Sequence, residues 1–410
     1  MKRYIELFYH VLMLIGLWPV VRFFPRNPKK IIFGAWGGNQ FSDNPKYFLK
    51  YILSLDRGYE CYWFGNEFIR EKVMSVKGVE FVLKDSLLAH WHVLTASWIV
   101  CNIGVDVDIT TFPTYGKIKM LSFWHGTSYK GLKMLGYHAE KSRNLLKRFV
   151  QNFTNKNFSI AQPQYCYASI SYDDMRFRLP YEVPWAFKPE MTIAAGTARI
   201  DYLIKYANDQ REISRVRECI SECFGLPRNR RWYLYMPTFR DGLSVNYSFV
   251  TTERFDEINQ LLKEQNAILI EKQHPQVLRT HSEIGGRRGN VYVMGATMAE
   301  SSLDTQELLL ASNRLITDYS SCFCDFETMN RPVVHFVYDY EEYRKRERPG
   351  THDIREVAAG PIAYNENELI EVMKCSDAEL LNQKGARADY LVSGEKGNAC
   401  ETFAKWVGLI

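Results

Sequence analysis

Apolar runs typical of buried strands alternate with amphipathic helical segments along most of this chain. KIIFGAW (30–36) and WIVCNIG (98–104) are typical of strands buried on both faces. SDNPKYFLKYILSL (42–55) predicts a helix between them, because a polar residue among 42–44 suits the N-cap and Pro45 suits the first turn. The pattern predicts a parallel sheet with helical crossovers.

The same alternation restarts near residue 190. MTIAAGTARIDYLI (191–204) predicts a strand, a turn and a long helix through Cys223. Two successive doubly wound halves imply an α/β fold in which two Rossmann-like domains face each other across a cleft. Late helices are predicted near 366–374, 377–391 and 397–407. The predicted units are an N-terminal segment 1–29, a domain 30–190, a domain 191–395 and a C-terminal helix 396–410.

Size and charge narrow the class of protein. The 410 residues suit two domains, and a hydrophobic content of 46% argues against global disorder. Residues 1–30 hold six basic residues against one acid, which accounts for the whole net charge of +5. So local an excess is unlike the basic stripe of a nucleic-acid-binding face. Nine cysteines without zinc-site spacing favour free thiols in a reducing compartment and give no metal site.

The N-terminal segment is predicted to associate with a membrane. Its fifteen uncharged residues 7–21 span about 22 Å as a helix, less than the ~30 Å hydrocarbon core, and Pro19 disturbs the last turn. A helix lying in the membrane surface is favoured over a single span, a signal peptide or a buried helix, because aromatic and basic residues flank it. The segment 138–153 predicts another amphipathic helix, either a solvated basic face over a core stripe or a second membrane contact.

Hydroxyl groups follow a predicted strand in RLITDYSSCFCDF (314–326). The turn begins at Asp318, and Ser320 and Ser321 lie where a helix begins. Unpartnered amides and the positive end of the helix dipole favour a phosphate there. The alternative is a plain serine N-cap. The next strand carries His335, which is predicted to be a structural histidine.

Polar and cationic residues at other predicted strand ends also favour a phosphate-binding site. Several cations at such ends are costly as core residues but suit a diphosphate in the crevice of a doubly wound sheet. The G-x-G-x-x-G fingerprint and the Walker A loop are missing, so NAD and P-loop ATP chemistry are disfavoured. The candidate phosphate-binding residues at these ends are Gly196, Arg199, Thr238, Arg240, Lys272 and His274.

A histidine at a strand tip is the main candidate in the first half. In LSFWHGTSYKGLKMLG, His125 follows an apolar strand, Gly126 leaves room for a substrate, and Lys130 and Lys133 add positive charge on the acceptor side. An imidazole titrates near neutrality and suits a general base. The alternative is a histidine held by a backbone carbonyl at a domain interface.

Seven stretches together resemble the CDP-glycerol glycerophosphotransferase family, the primases and polymerases of teichoic acids and related bacterial capsules. The resemblance implies a two-domain GT-B fold and monotopic attachment to the cytoplasmic face of the cell membrane. It also implies transfer of a polyol phosphate from a CDP-activated donor to a hydroxyl of a lipid-linked acceptor, with release of CMP. The stretches, in family order over roughly residues 120–375, are FWHGTSYKGLKMLG, GTARIDYL, YMPTFRD, EKQHP, LITDYSSCFCDF, RPVVHFVYDYEEY and AGPIAYNENELIEVM.

The resemblance also implies roles for individual residues. His125 is similar to the family's proposed general base, and His274 to a second site histidine that binds donor phosphate. Arg240, Ser320 and Ser321 match the other phosphate ligands, and Asp318 lies in the serine motif. The chain departs from the family in KRERPGTHDIREV and in the Ala-Gly-Pro at 359–361, so glycerol and ribitol both stay open as the polyol.

The resulting hypothesis is direct, single-displacement transfer of glycerol phosphate or a related polyol phosphate at a membrane surface, without a cofactor or a metal. The predicted partners are a CDP-polyol, a polyprenyl-diphosphate-linked saccharide and the membrane, and no nucleic acid. Two other classes stay open. A GT-B glycosyltransferase or sugar-nucleotide epimerase is distinguished by release of UDP or GDP, and a non-catalytic scaffold of polymer assembly by the lack of turnover.

Overall fold

The computed structural model describes most of both halves of the chain. The described residues are 24–110, 118–124, 126, 164–168, 192–238, 240, 247–273, 286–294, 303–346 and 352–410, with the backbone alone for 164–168 and 344–346. Several predictions therefore fall outside the described residues, namely those for His125, Lys130, Lys133, His274, the segment 1–23 and the helix 138–153.

The strands of the first half form one parallel sheet. They are β1 (Asn27–Phe33), β2 (Glu60–Gly65), β3 (Val79–Leu83), β4 (Ala96–Cys101), β5 (Lys119–Ser122), β6 (Gln164–Ala168) and β7 (Thr192–Ile193). Their order is β3-β2-β1-β4-β5-β6-β7, and each neighbouring pair is parallel. The described crossover helices are α1 (Asp43–Ser54), α2 (Arg70–Met74), α3 (Leu87–Thr95) and α4 (Val105–Asp108).

The strands of the second half form another seven-stranded sheet. They are β8 (Arg231–Met236), β9 (Ala267–Lys272), β10 (Gly286–Arg288), β11 (Val291–Met294), β12 (Arg314–Thr317), β13 (Val333–Phe336) and β14 (Ile362–Ala363). Their order is β10-β11-β9-β8-β12-β13-β14, and only the edge strand β10 runs antiparallel to its neighbour. The strand order reverses between β8 and β12, which is where doubly wound sheets bind their ligands.

Most helices of the second half cover the two faces of its sheet, and the last one returns to the first sheet. They are α5 (Ala198–Tyr206), α6 (Gln210–Phe224), α7 (Phe255–Glu264), α8 (Thr305–Ala311), α9 (Cys322–Glu327), α10 (Tyr340–Arg346), α11 (Ile354–Val357), α12 (Glu366–Lys374), α13 (Asp377–Leu381) and α14 (Ala399–Val407).

Two predicted helices are shorter in the structure. The predicted helix through Cys223 is interrupted at Asp209, whose carboxylate accepts hydrogen bonds from the amides of Arg211 and Glu212 at 2.9 and 3.1 Å and so starts a new helix. The predicted helix 377–391 ends at Leu381. Gly385 then packs against the backbone of α11, where an added Cβ would lie 2.5 Å from the Glu356 carbonyl oxygen.

Alternate residues of each central strand face two different cores. In β1, Ile31 and Phe33 pack on one side of the first sheet, whereas Ile32 packs on the other. In β8, Trp232 and Tyr233 likewise belong to opposite cores of the second sheet. Burial on both faces explains why these strands read as continuous apolar runs. The prediction of an α/β fold with parallel sheets is confirmed.

The C-terminal helix α14 returns to the first sheet. Phe403 and Ala404 are fully buried in the core that contains β1 and β2, and the Phe403 and Phe123 rings meet edge to face at 4.7 Å. The two halves are joined again by a buried ion pair at 2.6 Å between Lys46 of α1 and Asp304, the N-cap of α8. The chain therefore crosses between the sheets more than once. Within the described ranges, no helix is both long and apolar enough to cross a bilayer.

Candidate functional site

The point of strand-order reversal in the second sheet is organised by one carboxylate. Asp318 follows β12 and is fully buried. Its side chain accepts hydrogen bonds from the Thr238 amide, at 2.8 and 3.0 Å to its two oxygens, and from the Ser320 amide at 3.2 Å. Asp318 thus ties the end of β8 to the turn after β12. Thr238 therefore lies beside Asp318 and Ser320, which come from a different predicted motif.

Arg240 is held inside the protein by two carboxylates. Its guanidinium donates to Asp318, and to both oxygens of Asp339 at 2.9 and 3.0 Å. It also donates to the Thr238 carbonyl at 2.6 Å and lies between tyrosine rings, including that of Tyr319. Burial alone lowers the pKa of Arg240, but the Asp318 and Asp339 carboxylates raise it overall. The sequence predicts a phosphate ligand here, whereas the structure gives Arg240 a bracing contact. Its phosphate contact stays a prediction.

His335 supports the same turn from the neighbouring strand β13. The Ala359 amide donates to its Nε2 at 3.1 Å, so Nδ1 carries the proton and donates to the Asp318 carbonyl at 3.1 Å. Burial lowers the pKa of His335 to about 4, which keeps the ring neutral. The position of this histidine agrees with the predicted structural role.

Ser321 begins helix α9 without capping it. Its side chain accepts no hydrogen bond from the first amides of the helix, so the plain N-cap alternative does not describe it. Instead its hydroxyl faces the first half of the chain. A Cβ built on Gly126 would lie 2.7 Å from the Ser321 Oγ. The backbone that follows β5 therefore touches the serine that follows β12.

Lys272 ends β9 on the same edge of the sheet. Burial lowers the pKa of its ammonium, which interacts electrostatically with the Cys322 thiol next to Ser321. Among the described residues, no carboxylate lies within 4 Å of this ammonium. Asp304 also acts electrostatically on this partly buried ammonium without forming an ion pair with it. A partly desolvated cation without a carboxylate in contact favours an anionic ligand.

Trp124 is fixed in an uncommon backbone conformation directly before His125. Its φ is +60°, in the left-handed region. The fully buried Asn44 donates from Nδ2 to the Trp124 carbonyl at 2.7 Å, and its Oδ1 accepts the Arg199 amide at 2.9 Å. The sequence predicts a capping role among residues 42–44. In the structure, Ser42 occupies the N-cap position of α1, and Asn44 braces the end of β5.

Arg199 is also bound internally. Its guanidinium donates to Asp43 at 2.9 Å and to Asp325 of helix α9 at 3.0 Å. Burial alone lowers the pKa of Arg199, but the carboxylates of Asp325 and Asp43 raise it overall. Arg199 therefore links the start of α1 to α9 across the two sheets. The sequence predicts a phosphate ligand here, and that role stays a prediction.

Gly196 lies against the C-terminal part of the chain. Its φ is +85°, and an added Cβ would collide with the Glu395 carboxylate. The neighbouring Thr197 hydroxyl donates to Glu395 Oε1 at 3.1 Å. The conformation and the crowding explain the glycine without a ligand, and its predicted phosphate contact stays a prediction.

The structure thus separates two groups among the predicted residues. Ser321 and Lys272 lie around an anion-favouring edge, whereas Arg199, Arg240 and Gly196 have internal partners. Asn44 and Asp339 are bracing residues that sequence reasoning missed. No group of three or more potential metal-ligating side chains is present in the part of the chain that the structure describes.

The fold and the site define a doubly wound α/β protein with two parallel sheets and an anion-favouring edge at the switch point of the second sheet. The match to known proteins is specific. Residues 17–406 match the model of the family described as CDP-Glycerol:Poly(glycerophosphate) glycerophosphotransferase, so the chain belongs to this family of transferases.

Individual relatives agree with the family. A teichoic acid glycerol-phosphate transferase of Staphylococcus aureus is 24% identical over 92% of this chain and 94% of its own length. A teichoic acid poly(glycerol phosphate) polymerase of Bacillus subtilis is 27% identical over 85% of this chain, which spans only 44% of that relative. The solved structure of the wall teichoic acid polymerase TagF has the same fold, with a TM-score of 0.70 and 20% identity over 99% of this chain and 97% of the other.

Proposed function

We propose that this protein transfers glycerol phosphate, or a related polyol phosphate, from a CDP-activated donor to a hydroxyl group of an acceptor and releases CMP. Membership of the CDP-glycerol glycerophosphotransferase family supports the donor and the type of reaction. The relatives named for glycerol phosphate favour glycerol as the polyol.

One observation supports the proposed location of the reacting groups. The position of a Cβ on Gly126 lies 2.7 Å from the Ser321 hydroxyl, so the residue after His125 touches the proposed phosphate-binding turn. The first requirement of acid–base catalysis is proximity of the base to the reacting groups. The Gly126–Ser321 approach supports a proposed cleft between the carboxyl ends of β5 and β12.

The proposed chemistry is a single in-line displacement. The acceptor oxygen attacks the β-phosphorus, the bond from that phosphorus to the bridging oxygen breaks, and CMP leaves with the electron pair. His125 accepts the hydroxyl proton, an effect worth about 10²–10⁴-fold in rate. Lys272 and the hydroxyls of Ser320 and Ser321 hold the charge of the diphosphate, which moves onto CMP in the transition state. His274 is proposed to contact the same phosphates.

The acceptor is proposed to be a lipid-linked saccharide or a growing polymer at the cytoplasmic face of the cell membrane. The apolar and basic sequence of residues 1–29 supports a peripheral, monotopic attachment. Lys130 and Lys133 follow the proposed base in sequence and are proposed to meet the anionic headgroup side of the acceptor.

The test is the rate of CMP release from His125→Ala and His274→Ala. The purified full chain is given CDP-glycerol and a short lipid-linked acceptor, and circular dichroism confirms that each variant is folded. We expect losses of at least about 100-fold, whereas the matched control His352→Ala keeps the wild-type rate. Wild-type rates in both site variants would show that the catalytic assignment is wrong.

A parallel donor series tests the reaction itself. CDP-glycerol, CDP-ribitol and a UDP-sugar are compared, and the nucleotide product is identified. CMP with an acceptor of increased mass is the expected product. Release of UDP from the UDP-sugar, with no CMP from either CDP-polyol, would show that the protein transfers or converts a sugar and not a polyol phosphate.

A further inference from the structure

A cavity of about 460 Å³ lies at the carboxyl ends of β13 and β14 in the second half. Phe336 ends β13, Tyr364 directly follows β14, and Glu366 begins α12. Ligand sites have volumes of roughly 300–1,000 Å³ and are lined by aromatic side chains with a few polar groups. The part of the lining that the structure describes has this composition and includes none of the predicted site residues. We call this space the aromatic cavity.

The wall of the aromatic cavity is built from packed rings. The Tyr247 ring meets the Phe336 ring edge to face at 4.8 Å and lies 5.6 Å from the Tyr338 ring. Tyr364 lies at the rim with 38% of its surface exposed. Because the three inner rings pack on one another, they form one wall and leave no gap between two parallel faces for a flat base. A one-sided aromatic wall suits the apolar C–H face of a sugar ring.

Two neighbouring side chains at the start of α12 offer a hydrogen-bond acceptor and a donor. Glu366 Oε1 accepts from the Tyr247 hydroxyl at 2.8 Å and from the Thr252 hydroxyl, and Asn367 Oδ1 accepts from Arg254. Among the described residues, the second Glu366 oxygen and the Asn367 amide nitrogen have no hydrogen-bond partner. Both residues line the cavity. An acceptor beside a donor matches two neighbouring hydroxyl groups, because a hydroxyl group can donate and accept.

The charges around the cavity disfavour an anionic ligand. Arg254 is the only cation in the described lining, and its guanidinium is paired with Glu257. Glu366 adds a negative charge to the lining. A phosphate group would therefore meet a neutralised cation and a carboxylate, whereas Lys272 at the candidate site has no carboxylate in contact. The cavity favours a neutral ligand that is rich in hydroxyl groups.

One layer of side chains separates the aromatic cavity from the candidate phosphate site. Tyr338 lines the cavity, and the Arg240 guanidinium lies 5.3 Å from the centre of its ring. Arg240 is buried and contacts Asp318, whose carboxylate accepts the Ser320 amide. A nucleoside in the cavity would have to pass through this layer to place its own phosphates at the Ser320 turn. The layer thus disfavours the donor as the occupant of the cavity.

We propose that the aromatic cavity binds a sugar ring of the acceptor that does not itself react, with Glu366 and Asn367 holding two neighbouring hydroxyl groups of that ring. The proposal rests on the proposed function, in which the acceptor carries a saccharide. Binding energy from a non-reacting part of a substrate helps to position the reacting part. Because the Tyr338 ring packs against Arg240, the bound sugar is held at a fixed distance from the phosphate site.

The kinetic test is Glu366→Gln/Asn367→Asp, which exchanges the open acceptor and donor and keeps the net charge. The Gln oxygen still accepts from Tyr247, and the Asp oxygen still accepts from Arg254. CMP release by the full chain is measured with CDP-glycerol and a short lipid-linked acceptor, and circular dichroism confirms folding. We expect the KM for the acceptor to rise at least about tenfold, because a hydrogen bond to a carboxylate is lost. The KM for CDP-glycerol is expected to stay equal.

The matched control is Glu80→Gln/Asn382→Asp, which makes the same chemical exchange at two exposed residues outside the described lining. We expect it to keep the wild-type KM for the acceptor. On an acceptor that carries glycerol phosphate without a saccharide, the cavity variant and the wild type are expected to have the same KM. An unchanged KM for the saccharide acceptor in the cavity variant would overturn the proposal. A rise in the KM for CDP-glycerol alone would also overturn it, because the cavity then holds the donor.

A binding measurement separates this proposal from the proposed function. Saturation-transfer NMR on the full chain uses methyl glucoside, methyl N-acetylglucosaminide, cytidine and glycerol 3-phosphate as separate probes. We expect saturation transfer to at least one glycoside in the wild type and its loss in Glu366→Gln/Asn367→Asp. No transfer to either glycoside, transfer that the variant keeps, or a cytidine signal that the variant loses would overturn the proposal. A wild type without any CMP release overturns the proposed function, and the NMR comparison still decides the role of the cavity.

Discussion

Gly126→Ala and Ser321→Ala form a double-mutant cycle across the two halves of the chain. The added methyl group of Gly126→Ala would lie 2.7 Å from the Ser321 Oγ. This distance is shorter than a van der Waals contact between a methyl carbon and a hydroxyl oxygen. The serine hydroxyl is the movable partner, so it rotates away. If that hydroxyl binds the donor diphosphate, Gly126→Ala removes the same contact as Ser321→Ala.

The size of the effect follows from the contact that is lost. A hydrogen bond to a charged group contributes about 1.5–3 kcal/mol, which corresponds to about 10- to 150-fold in kcat/KM. We expect each single variant to lose activity within this range. The double variant is expected to lose no more than Ser321→Ala alone, because the methyl group has no hydroxyl left to displace. The coupling energy is then about as large as the smaller single effect.

The assay is kcat/KM for CDP-glycerol from the initial rate of CMP release, with thermal unfolding to confirm folding. Ser320→Ala with Gly126→Ala is the matched control. Among the described residues that are not chain neighbours of Gly126, Ser321 alone has atoms within 4 Å of the added methyl carbon. The control pair is expected to be additive. Additive losses in the Gly126–Ser321 pair, or wild-type activity in Gly126→Ala, would refute the proposed adjacency.

Three further predictions concern residues that hold the candidate site in place or add positive charge to it. Asn44→Ala leaves the Trp124 carbonyl and the Arg199 amide without their partner, so we expect the free energy of unfolding to fall by about 2–5 kcal/mol and kcat to fall more than KM rises. Denaturant unfolding and CMP kinetics check this, and an unchanged kcat in the folded variant would contradict it. Lys272→Met removes a desolvated cation, so we expect KM for CDP-glycerol to rise at least about tenfold while the unfolding temperature stays equal or rises; unchanged KM would contradict the proposed phosphate contact. The pKa of His335 is lowered to about 4 in the folded protein, so its contribution to stability is present above pH 6.5 and is lost as the pH falls toward 4. Between pH 8 and pH 5.5 it contributes a loss of about 1.4 kcal/mol, and His335→Gln is expected to show a pH dependence weaker by that amount in urea unfolding; equal pH dependence would contradict it.

The parallel sheets were predictable because a strand that is buried on both faces appears in the sequence as a continuous apolar run. β1 and β4 overlap the apolar runs that predict them but begin three and two residues earlier, and the switch point follows from strands alternating with helices. The interruption at Asp209 also has a local signal, since Glu212 three residues later completes a typical helix start. These features depend on neighbours in sequence, which is why a pattern can report them.

The bracing contacts were not predictable because their partners are distant in sequence. The carboxylates that hold Arg199 come from Asp43 and Asp325, which are 156 and 126 positions away. A cation at a strand end looks the same in sequence whether a ligand or a remote carboxylate neutralises it. Asn44 likewise meets the Trp124 carbonyl across 80 positions. Only the fold distinguishes a residue that binds a ligand from one that holds the binding turn in place.

Transfer of glycerol phosphate by this protein is best measured by following both products of one reaction. The full chain is incubated with CDP-glycerol and a short lipid-linked acceptor, and CMP and the mass of the acceptor are measured together. The account predicts one CMP for each glycerol phosphate added to the acceptor, and loss of both products in His125→Ala. CMP release without an increase in acceptor mass, or undiminished transfer by His125→Ala, would contradict it.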